Sequence, residues 1–241
     1  MNKDSIKKKM KHIVGKTINT NDLILKDEIV LVALSGGIDS LVLLDILHER
    51  KKHIPIDYTI MALHVNVSDV EYHSDPDEMK DFCIKRSIHY KEIKAKLQYS
   101  ESSDKISICN SCSRLRRKII FDYAEENSCF KIAFGHHMDD ALETMLLNMT
   151  YSSTLSSLPP KLNIFKEKLS IIRPLLNCSK DDILAYAEKC EIEPINKGCP
   201  HEEISKREKM RSILAQIHEN DPKLKRNLFK SMSNIHKDYL P

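Results

Sequence analysis

Short apolar segments alternate with amphipathic ones along the first part of the chain. Ile29–Leu34 and Ile56–Val67 are nearly continuous apolar runs rich in β-branched residues, a pattern typical of strands buried on both faces of a parallel sheet. Between them, Ile38–Arg50 has the period of an amphipathic helix. Strands that alternate with helices of about ten to fifteen residues predict βαβ units. We therefore expect an α/β fold, a parallel sheet flanked by helices.

The rest of the chain continues this alternation. Strands are predicted at residues 88–94 and 130–137, and a strand or an extended segment at residues 169–175. Helices are predicted in the basic N-terminal part, at residues 75–87, 113–127, 139–151 and 179–190, and in the basic C-terminal part. Residues 99–111 are polar and predict a loop, so the next helix is expected to begin at about Ser113. Asp75 and Ser179 are the expected N-caps of two helices.

The composition is that of a globular protein. The 241 residues are 41% hydrophobic and 30% charged, which is ordinary for soluble domains. The longest apolar runs are too short to cross a bilayer, and the basic N-terminus lacks the apolar core of a signal peptide. We therefore expect a cytoplasmic protein with no membrane partner. The seven cysteines are an odd number, and in a reducing compartment paired cysteines indicate metal or redox chemistry.

Positive charge is concentrated in three segments, although the net charge is only +3. Residues 1–16 contain six Lys and one acid, and residues 197–237 contain ten Lys or Arg and five acids. The third segment is SRLRRK, residues 113–118. Such patches favour a polyanionic partner. An ordinary solvated surface of a Lys-rich protein is the alternative, and charge by itself does not decide between the two.

The stretch VALSGGIDSLVLL, Val32–Leu44, predicts a strand that ends in a tight loop before a helix. Gly36 and Gly37 let backbone amides approach an anion, and the helix start adds its N–H groups and dipole. Asp39 makes sense beside phosphates if its carboxylate holds Mg²⁺ or orients the loop. The sequence is neither a Walker A loop nor GxGxxG, and a plain structural turn is the alternative. S-G-G-x-D-S directly after a strand resembles the PP-loop of the ATP pyrophosphatase superfamily.

That resemblance implies both a fold and a chemistry. Enzymes of the superfamily bind ATP on a sheet of the adenine-nucleotide α-hydrolase-like type, and the PP-loop holds the pyrophosphate. They cleave ATP between its α- and β-phosphates, adenylate an oxygen of the substrate, and let a nucleophile displace AMP.

A second motif, FGHHMDDALETMLLNM at Phe134–Met149, follows another predicted strand. Asp139 and Asp140 suit Mg²⁺ beside a phosphate site, and His137 can exchange protons near neutral pH. The alternative is that Asp139 caps a helix and the histidines only fill a loop. G-H-H-x-D-D-x-x-E-T resembles two tRNA-modifying branches of the superfamily, the tRNA 2-thiocytidine synthetases and the tRNA(Ile)-lysidine synthetases.

The cysteines of CNSC, Cys109 and Cys112, separate these branches. Two thiolates at i and i+3 can share one metal, and the arginines that follow favour the anionic thiolates; two incidental thiols are the alternative. C-x-x-C-S-R-L-R-R resembles the 2-thiocytidine synthetase family, and so does the region 158–187 with its P-P-K-L and I-R-P-L. The resemblance covers roughly Ile29 to Leu214.

The 2-thiocytidine synthetase resemblance implies an oxygen-sensitive [4Fe–4S] cluster on three cysteines, which we assign to Cys109, Cys112 and Cys199. Three thiolates leave one iron without a protein ligand, where the incoming sulfur could be carried. The chain departs from the family at two positions. Asn196 stands where the family has the first cysteine of a distal pair, and Ile38 stands where the family's loop, S-G-G-K-D-S, has Lys, so that one positive contact is missing.

Carried over residue by residue, the resemblance implies three sets of site residues. The set for ATP and Mg²⁺ consists of Ala33, Ser35, Gly36, Gly37, Asp39, Ser40, Leu63, His64, Gly135 and Asp140. The catalytic set is Asp39, Cys109, Cys112 and Cys199. The set for the tRNA backbone is Arg114, Arg116, Arg117 and Lys118.

The function implied is ATP-dependent tRNA thiolation. The C2 oxygen of a tRNA cytidine, at position 32 by family resemblance, would be adenylated, and sulfur from the cluster would replace it to give 2-thiocytidine. The implied partners are tRNA and a sulfur donor such as a cysteine desulfurase, and family members are often homodimers. The expected domains are a basic helical extension at 1–27, a PP-loop ATPase and thiolase domain at 28–215, and a basic helical tail at 216–241.

Three other functions stay open. One is thiolation of a different nucleoside, such as a uridine. Another is a ligase of the lysidine synthetase type, which needs no cysteine cluster. The third is a non-catalytic RNA-binding protein with a structural zinc on the same three cysteines, which would want a fourth ligand such as His201.

Overall fold

The helices and strands alternate as expected. A computed structural model describes residues 3–68, 75–97, 105–195 and 206–239. The strands are β1 (Ile29–Ala33), β2 (Thr59–Val67), β3 (His89–Ala95), β4 (Lys131–Ala133), β5 (Lys161–Ile164) and β6 (Leu169–Ile172). The helices are α1 (Lys3–Thr20), α2 (Ile38–Lys51), α3 (Pro76–Ile84), α4 (Lys105–Glu126), α5 (Met138–Tyr151), α6 (Lys180–Cys190), α7 (Lys206–Asn220) and α8 (Pro222–Ser231), with a 3₁₀ turn at Lys237–Tyr239.

The strands form one six-stranded sheet in the order β3-β2-β1-β4-β6-β5. Neighbours are parallel from β3 to β6, and only β5 runs antiparallel, at the edge. The predicted α/β class is therefore confirmed.

The side chains of β1 alternate between two apolar layers. Val30 and Val32 belong to the cluster that α1, α2 and α6 cover, whereas Leu31 belongs to the cluster that α4 covers. All three are completely buried. Because both faces of the sheet are covered, its central strand is apolar throughout rather than alternating, as is typical of parallel sheets.

The basic N-terminal helix α1 contributes one apolar stripe to this core. Ile6, Met10, Val14 and Ile18 recur every four residues and are at most 3% exposed, so they lie along one face of the helix. That face packs against α2 and α6. The domain boundaries at 27/28 and 215/216 stay predictions.

The structure corrects two sequence predictions. Helix α4 begins at Lys105, so the second half of the segment predicted as a loop, from residue 105 on, is helical. Its apolar positions Ile108, Cys112 and Leu115 continue the helical period when cysteine is counted as apolar. Strand β5 was not predicted, because the turn that follows it contains no residue that signals a hairpin. The caps Asp75 and Ser179 are confirmed by hydrogen bonds to backbone N–H groups of their helices.

Candidate active site

A crevice lies at the carboxyl edge of the sheet between β1 and β4. From β1 the chain builds outward to β2 and β3, and then crosses to β4 on the other side. The loops that follow β1 and β4 therefore diverge, and this is where open α/β sheets bind ligands. The SGGIDS loop, Ser35–Ser40, follows β1, and the GHHMDD motif, Gly135–Asp140, follows β4.

The SGGIDS loop is held by its own hydrogen bonds. The Ser40 hydroxyl donates to the Gly37 carbonyl at 2.8 Å and accepts from the Ser35 N–H at 3.2 Å. Gly36 has a φ of +80°, the left-handed region that a Cβ disfavours. Gly37 is the N-cap of α2 and makes no side-chain cap. The first N–H groups of α2 are therefore available to an anion bound at the loop.

Gly135 brings the second motif against this loop. A Cβ at Gly135 would lie 3.0 Å from the carbonyl carbon of Asp39 and 3.1 Å from the backbone nitrogen of Ser40. Backbone atoms that close leave no room for a side chain. The two motifs, far apart in the sequence, therefore form a single site.

Three carboxylates surround His137, which is the N-cap of α5. Its Nε2 lies 3.8 Å from Asp39 Oδ1 and 3.5 Å from Asp140 Oδ2, and its Nδ1 accepts the Asp139 N–H at 3.3 Å. Asp140 Oδ2 also accepts the His137 N–H at 2.9 Å. Asp39 and Asp140 are partly exposed, whereas His137 and Asp139 are buried. Two accessible carboxylates beside a phosphate loop fit Mg²⁺, which takes one or two carboxylates together with phosphate oxygens.

Two lysines that were missed in the sequence contact the same acids. Lys180 Nζ donates to Asp39 Oδ1 at 2.6 Å, and the Lys180 N–H donates to Asp139 Oδ2 at 2.9 Å. Lys225 Nζ donates to Asp139 Oδ1 at 2.7 Å. The one local signal was the N-cap Ser179, which fixes Lys180 as the first residue of α6.

These charges shift the titration of the buried pair. Burial alone would lower the pKa of His137. The Asp139 carboxylate, whose Oδ2 lies 3.6 Å from His137 Nδ1, and the negative charges of Asp140 and Asp39 outweigh burial, so the pKa of His137 is raised. Burial disfavours ionised Asp139, but its bonds to His137 and Lys225 prevail and hold its pKa well below the usual range. Asp139 is thus a carboxylate at neutral pH.

Three more residues of the set predicted for ATP and Mg²⁺ lie at the ends of β1 and β2, beside the same loop. Ala33 ends β1 and pairs with Leu63 of β2. The Leu63 carbonyl accepts the Leu34 N–H at 2.9 Å, and His64 Nδ1 donates to the Leu34 carbonyl at 2.9 Å. Burial lowers the pKa of His64, in keeping with a neutral ring. The structure places all three predicted residues beside the loop, and their contact with ATP stays a prediction.

The CNSC cysteines lie one turn apart inside α4, rather than at its start. Cys109 is half-buried and Cys112 is buried. Cys112 belongs to the apolar cluster that includes Val67 and Leu97, at the carboxyl ends of β2 and β3. The pair therefore lies toward the same edge of the sheet as the two motifs.

The third predicted cysteine, Cys199, lies outside the described residues, as do Asn196 and His201. Within the part of the chain that the structure describes, no three His, Cys, Asp or Glu residues are placed to hold a metal ion. Of the three cysteines predicted to hold a cluster, the described residues thus include Cys109 and Cys112. The remaining described cysteines are Cys83, Cys129, Cys178 and Cys190, and burial raises the pKa of each.

The comparisons with known proteins agree with these motifs. The PP-loop domain matches residues 2–217. A tRNA-cytidine(32) 2-sulfurtransferase from Photobacterium profundum is 35% identical, over 96% of this chain and 78% of that protein. One from Syntrophotalea carbinolica is 33% identical, over 98% of this chain and 93% of that protein. The chain belongs to the PP-loop family of the tRNA-cytidine(32) 2-sulfurtransferases. The resemblance inferred from its motifs is confirmed.

A solved structure extends the comparison to the fold. The U34-tRNA thiolase NcsA from Methanococcus maripaludis, with its [4Fe-4S] cluster, matches with a TM-score of 0.80 at 27% identity. The match covers 99% of this chain and 82% of that chain.

The basic residues that follow CNSC differ in exposure in this PP-loop protein. Arg114, Arg117 and Lys118 are exposed, whereas Arg116 is half-buried and lies close enough to contribute to the lowered pKa of His64. Thus three of the four predicted tRNA contacts lie on the outer face of α4, and Arg116 faces the site. None of the helices among the described residues has both the length and the apolar character that crossing a bilayer requires.

Proposed function

We propose that this chain is an ATP-dependent tRNA sulfurtransferase that converts cytidine 32 of tRNA to 2-thiocytidine. The observation that carries the proposal is the meeting of the SGGIDS loop with the GHHMDD motif at Gly135, where an added Cβ would lie only 3.0 Å from the Asp39 backbone. Together with the CNSC turn at the same edge, this supports a site that joins ATP chemistry to sulfur chemistry. The names of the relatives supply the nucleoside.

The loop residues would bind the phosphates of ATP. The N–H groups at the start of α2 and the hydroxyl groups of Ser35 and Ser40 are the donors for phosphate oxygens. Asp39 and Asp140 would hold Mg²⁺, since both carboxylates approach the same nitrogen of His137. Adenosine would lie against Ala33, Leu63 and His64, as expected for nucleotides at this edge of an α/β sheet.

The reaction would proceed by activating an unreactive oxygen. Attack of the cytidine C2 oxygen on the α-phosphate releases pyrophosphate, and the C2 oxygen becomes part of a good leaving group, AMP. A sulfur nucleophile then replaces AMP at C2. The loop would stabilise the negative charge that develops on the phosphates in the transition state. Such electrostatic stabilisation is usually the largest single contribution to catalysis.

The cysteines would hold a [4Fe–4S] cluster, with Cys199 as the third ligand beside Cys109 and Cys112. Two thiols one helical turn apart fit two corners of such a cluster. With three protein ligands, the cluster would supply one iron that is open to sulfur.

The remaining parts of the proposal concern partners. Exposed Arg114, Arg117 and Lys118, with Arg116 toward the site, would contact the tRNA backbone and give affinity that depends on salt. A cytoplasmic location follows from the sequence pattern, and a sulfur donor such as a cysteine desulfurase and a homodimer follow from the family resemblance. So does a catalytic domain at 28–215 between a basic helical extension and a basic helical tail.

The function is tested by nucleoside mass spectrometry of total tRNA. Cells that lack the gene are restored with the wild-type chain, with Cys109→Ser, or with the control Cys190→Ser, which changes a half-buried thiol on α6. We expect 2-thiocytidine to return with the wild type and the control, and to be absent with Cys109→Ser. Loss of a different nucleoside would show that the substrate is wrong.

A further inference from the structure

The SGGIDS loop is short of positive charge for a pyrophosphate site. Its only charged residue is Asp39, and a carboxylate repels phosphate unless a cation offsets it. Ile38, where the family's loop has Lys, packs against the apolar core instead. Besides the proposed Mg²⁺, any side-chain cation for the phosphates must therefore come from outside the loop.

Lys180 reaches the loop from α6. Its Nζ lies 2.6 Å from Asp39 Oδ1 although the two residues are 141 positions apart. The side chains of Lys180 and Asp39 are 35% and 31% exposed, so the pair lies at the open mouth of the site. An ammonium with three donors can contact phosphate oxygens while it keeps one bond to Asp39.

Hydrogen bonds to Ser179 and Asp139 fix the backbone at Lys180. Ser179 caps α6 by accepting the Asp182 N–H at 3.2 Å. The Lys180 N–H itself donates to Asp139 Oδ2 at 2.9 Å, and Asp139 is buried in the GHHMDD motif. The base of the Lys180 side chain is therefore held by the same motif that meets the loop, and little freedom is lost when the ammonium binds an anion.

We propose that Lys180 is a binding residue for the pyrophosphate portion of ATP, and that it supplies from α6 the positive charge that the loop lacks at position 38. The inference rests on the proposed function in that it takes ATP as the ligand. It adds a residue to the site and states which part of ATP that residue recognises.

The test measures nucleotide binding by titration calorimetry, without turnover. The probes are an ATP analogue with a non-cleavable α–β linkage, in Mg²⁺, and AMP, which lacks the pyrophosphate portion. Lys180→Ala removes one charge-assisted contact, so we expect it to weaken binding of the analogue about 10-fold or more. The affinity for AMP should change by less than about twofold. The control is Lys189→Ala, which removes the same charge from the last turn of α6 and should bind both probes as the wild type does.

Two double variants then separate phosphate binding from neutralisation of Asp39. These titrations are made without Mg²⁺, because Asp39 is also a proposed Mg²⁺ ligand. In the Lys180→Ala background, Ile38→Lys returns a cation to the loop, whereas Asp39→Asn removes the charge that lost its partner. We expect Ile38→Lys to restore more of the analogue's affinity than Asp39→Asn does. The reverse order would overturn the proposal, because Lys180 would then only neutralise Asp39.

Other outcomes are equally decisive. Unchanged binding of the analogue by Lys180→Ala, or an equal loss for the analogue and AMP, would overturn the role of Lys180 while the proposed function stands. A wild-type chain that binds neither probe would instead refute the ATP-dependent function itself.

Discussion

At the scale of single residues, Asp139 is the group on which the site depends most. Its two carboxylate oxygens accept from Lys225 on α8 and from the Lys180 N–H on α6, and its own N–H donates to His137. A buried carboxylate is stable only when such partners satisfy it. Asp139 therefore joins three helices at the point where the two motifs meet.

The close approach at Gly135 gives a prediction that belongs to this scale. In Gly135→Ala the new Cβ would meet the Asp39 and Ser40 backbone at 3.0–3.1 Å, so the loop must shift. We expect the free energy of unfolding to fall by about 1–3 kcal/mol, and ATP affinity to fall with it. Denaturant melts and calorimetry measure the two effects.

Gly15→Ala is the matched control for this substitution. Its Cβ would meet only Arg50 Nη1, at 3.0 Å, which is the far end of a flexible side chain. Because alanine also favours α1 by about 1 kcal/mol, stability should stay or rise. If both variants lose the same free energy of unfolding, the loss comes from replacing any glycine and not from the contact between the two motifs.

Site residues could be predicted from the sequence where they belong to a local motif, and not where their partners are distant in the chain. The SGGIDS and GHHMDD residues were predictable because a strand followed by glycines and acids has a local pattern. Lys180 and Lys225 were not, since their partners Asp39 and Asp139 are 141 and 86 positions away. Only the three-dimensional arrangement identifies them among the 38 Lys and Arg of the chain.

At the scale of helices and strands, the buried stripe of α1 shows how a basic segment becomes part of the core. Its lysines are charged only at the tip, and the helical period places Ile6, Met10, Val14 and Ile18 together on one buried face. Charge along the sequence is thus a poor guide to where a folded core begins.

The role of α1 can be measured with one substitution. Met10 is completely buried, so Met10→Ala should lower the free energy of unfolding by about 2–5 kcal/mol, because it leaves a cavity against α2 and α6. Lys8→Ala, at an exposed position of the same helix, should change it by less than about 0.5 kcal/mol. A loss below about 1 kcal/mol for Met10→Ala would mean that α1 is a separate extension.

Periodicity predicted every strand of the sheet except β5, and the reason is physical. The turn between β5 and β6 places Phe165, Lys166 and Glu167 at positive φ, where a glycine or asparagine would have signalled a hairpin. The start of α4 at Lys105 was not predicted either, because serines interrupt the apolar positions in its first turns.

At the scale of the whole molecule, charge is distributed unevenly around a nearly neutral chain. Arg117 on α4 is exposed on the helix that carries CNSC, whereas Lys26 precedes β1 and lies at the opposite edge of the sheet. A polyanion bound at the active site would contact the first and not the second.

This asymmetry predicts a difference in salt dependence. Each phosphate contact contributes about 0.7–0.9 to the slope of log K against log salt concentration. Arg117→Ala should therefore reduce the slope for tRNA binding by about that amount, and Lys26→Ala should leave it unchanged. Fluorescence anisotropy over a range of salt concentrations gives both values, and equal slopes would place tRNA elsewhere on the protein.

The contact between Lys225 and Asp139 also concerns the order in which the protein is made. Translation proceeds from the N-terminus, so a ribosome that has translated only as far as α7 has already produced both motifs and α6, but not Lys225. Until α8 emerges, the nascent chain holds a buried Asp139 with only part of its hydrogen bonding. A message truncated before α8 would therefore yield a polypeptide that contains both motifs but lacks the lysine side chain that donates to Asp139, a candidate for proteolytic quality control.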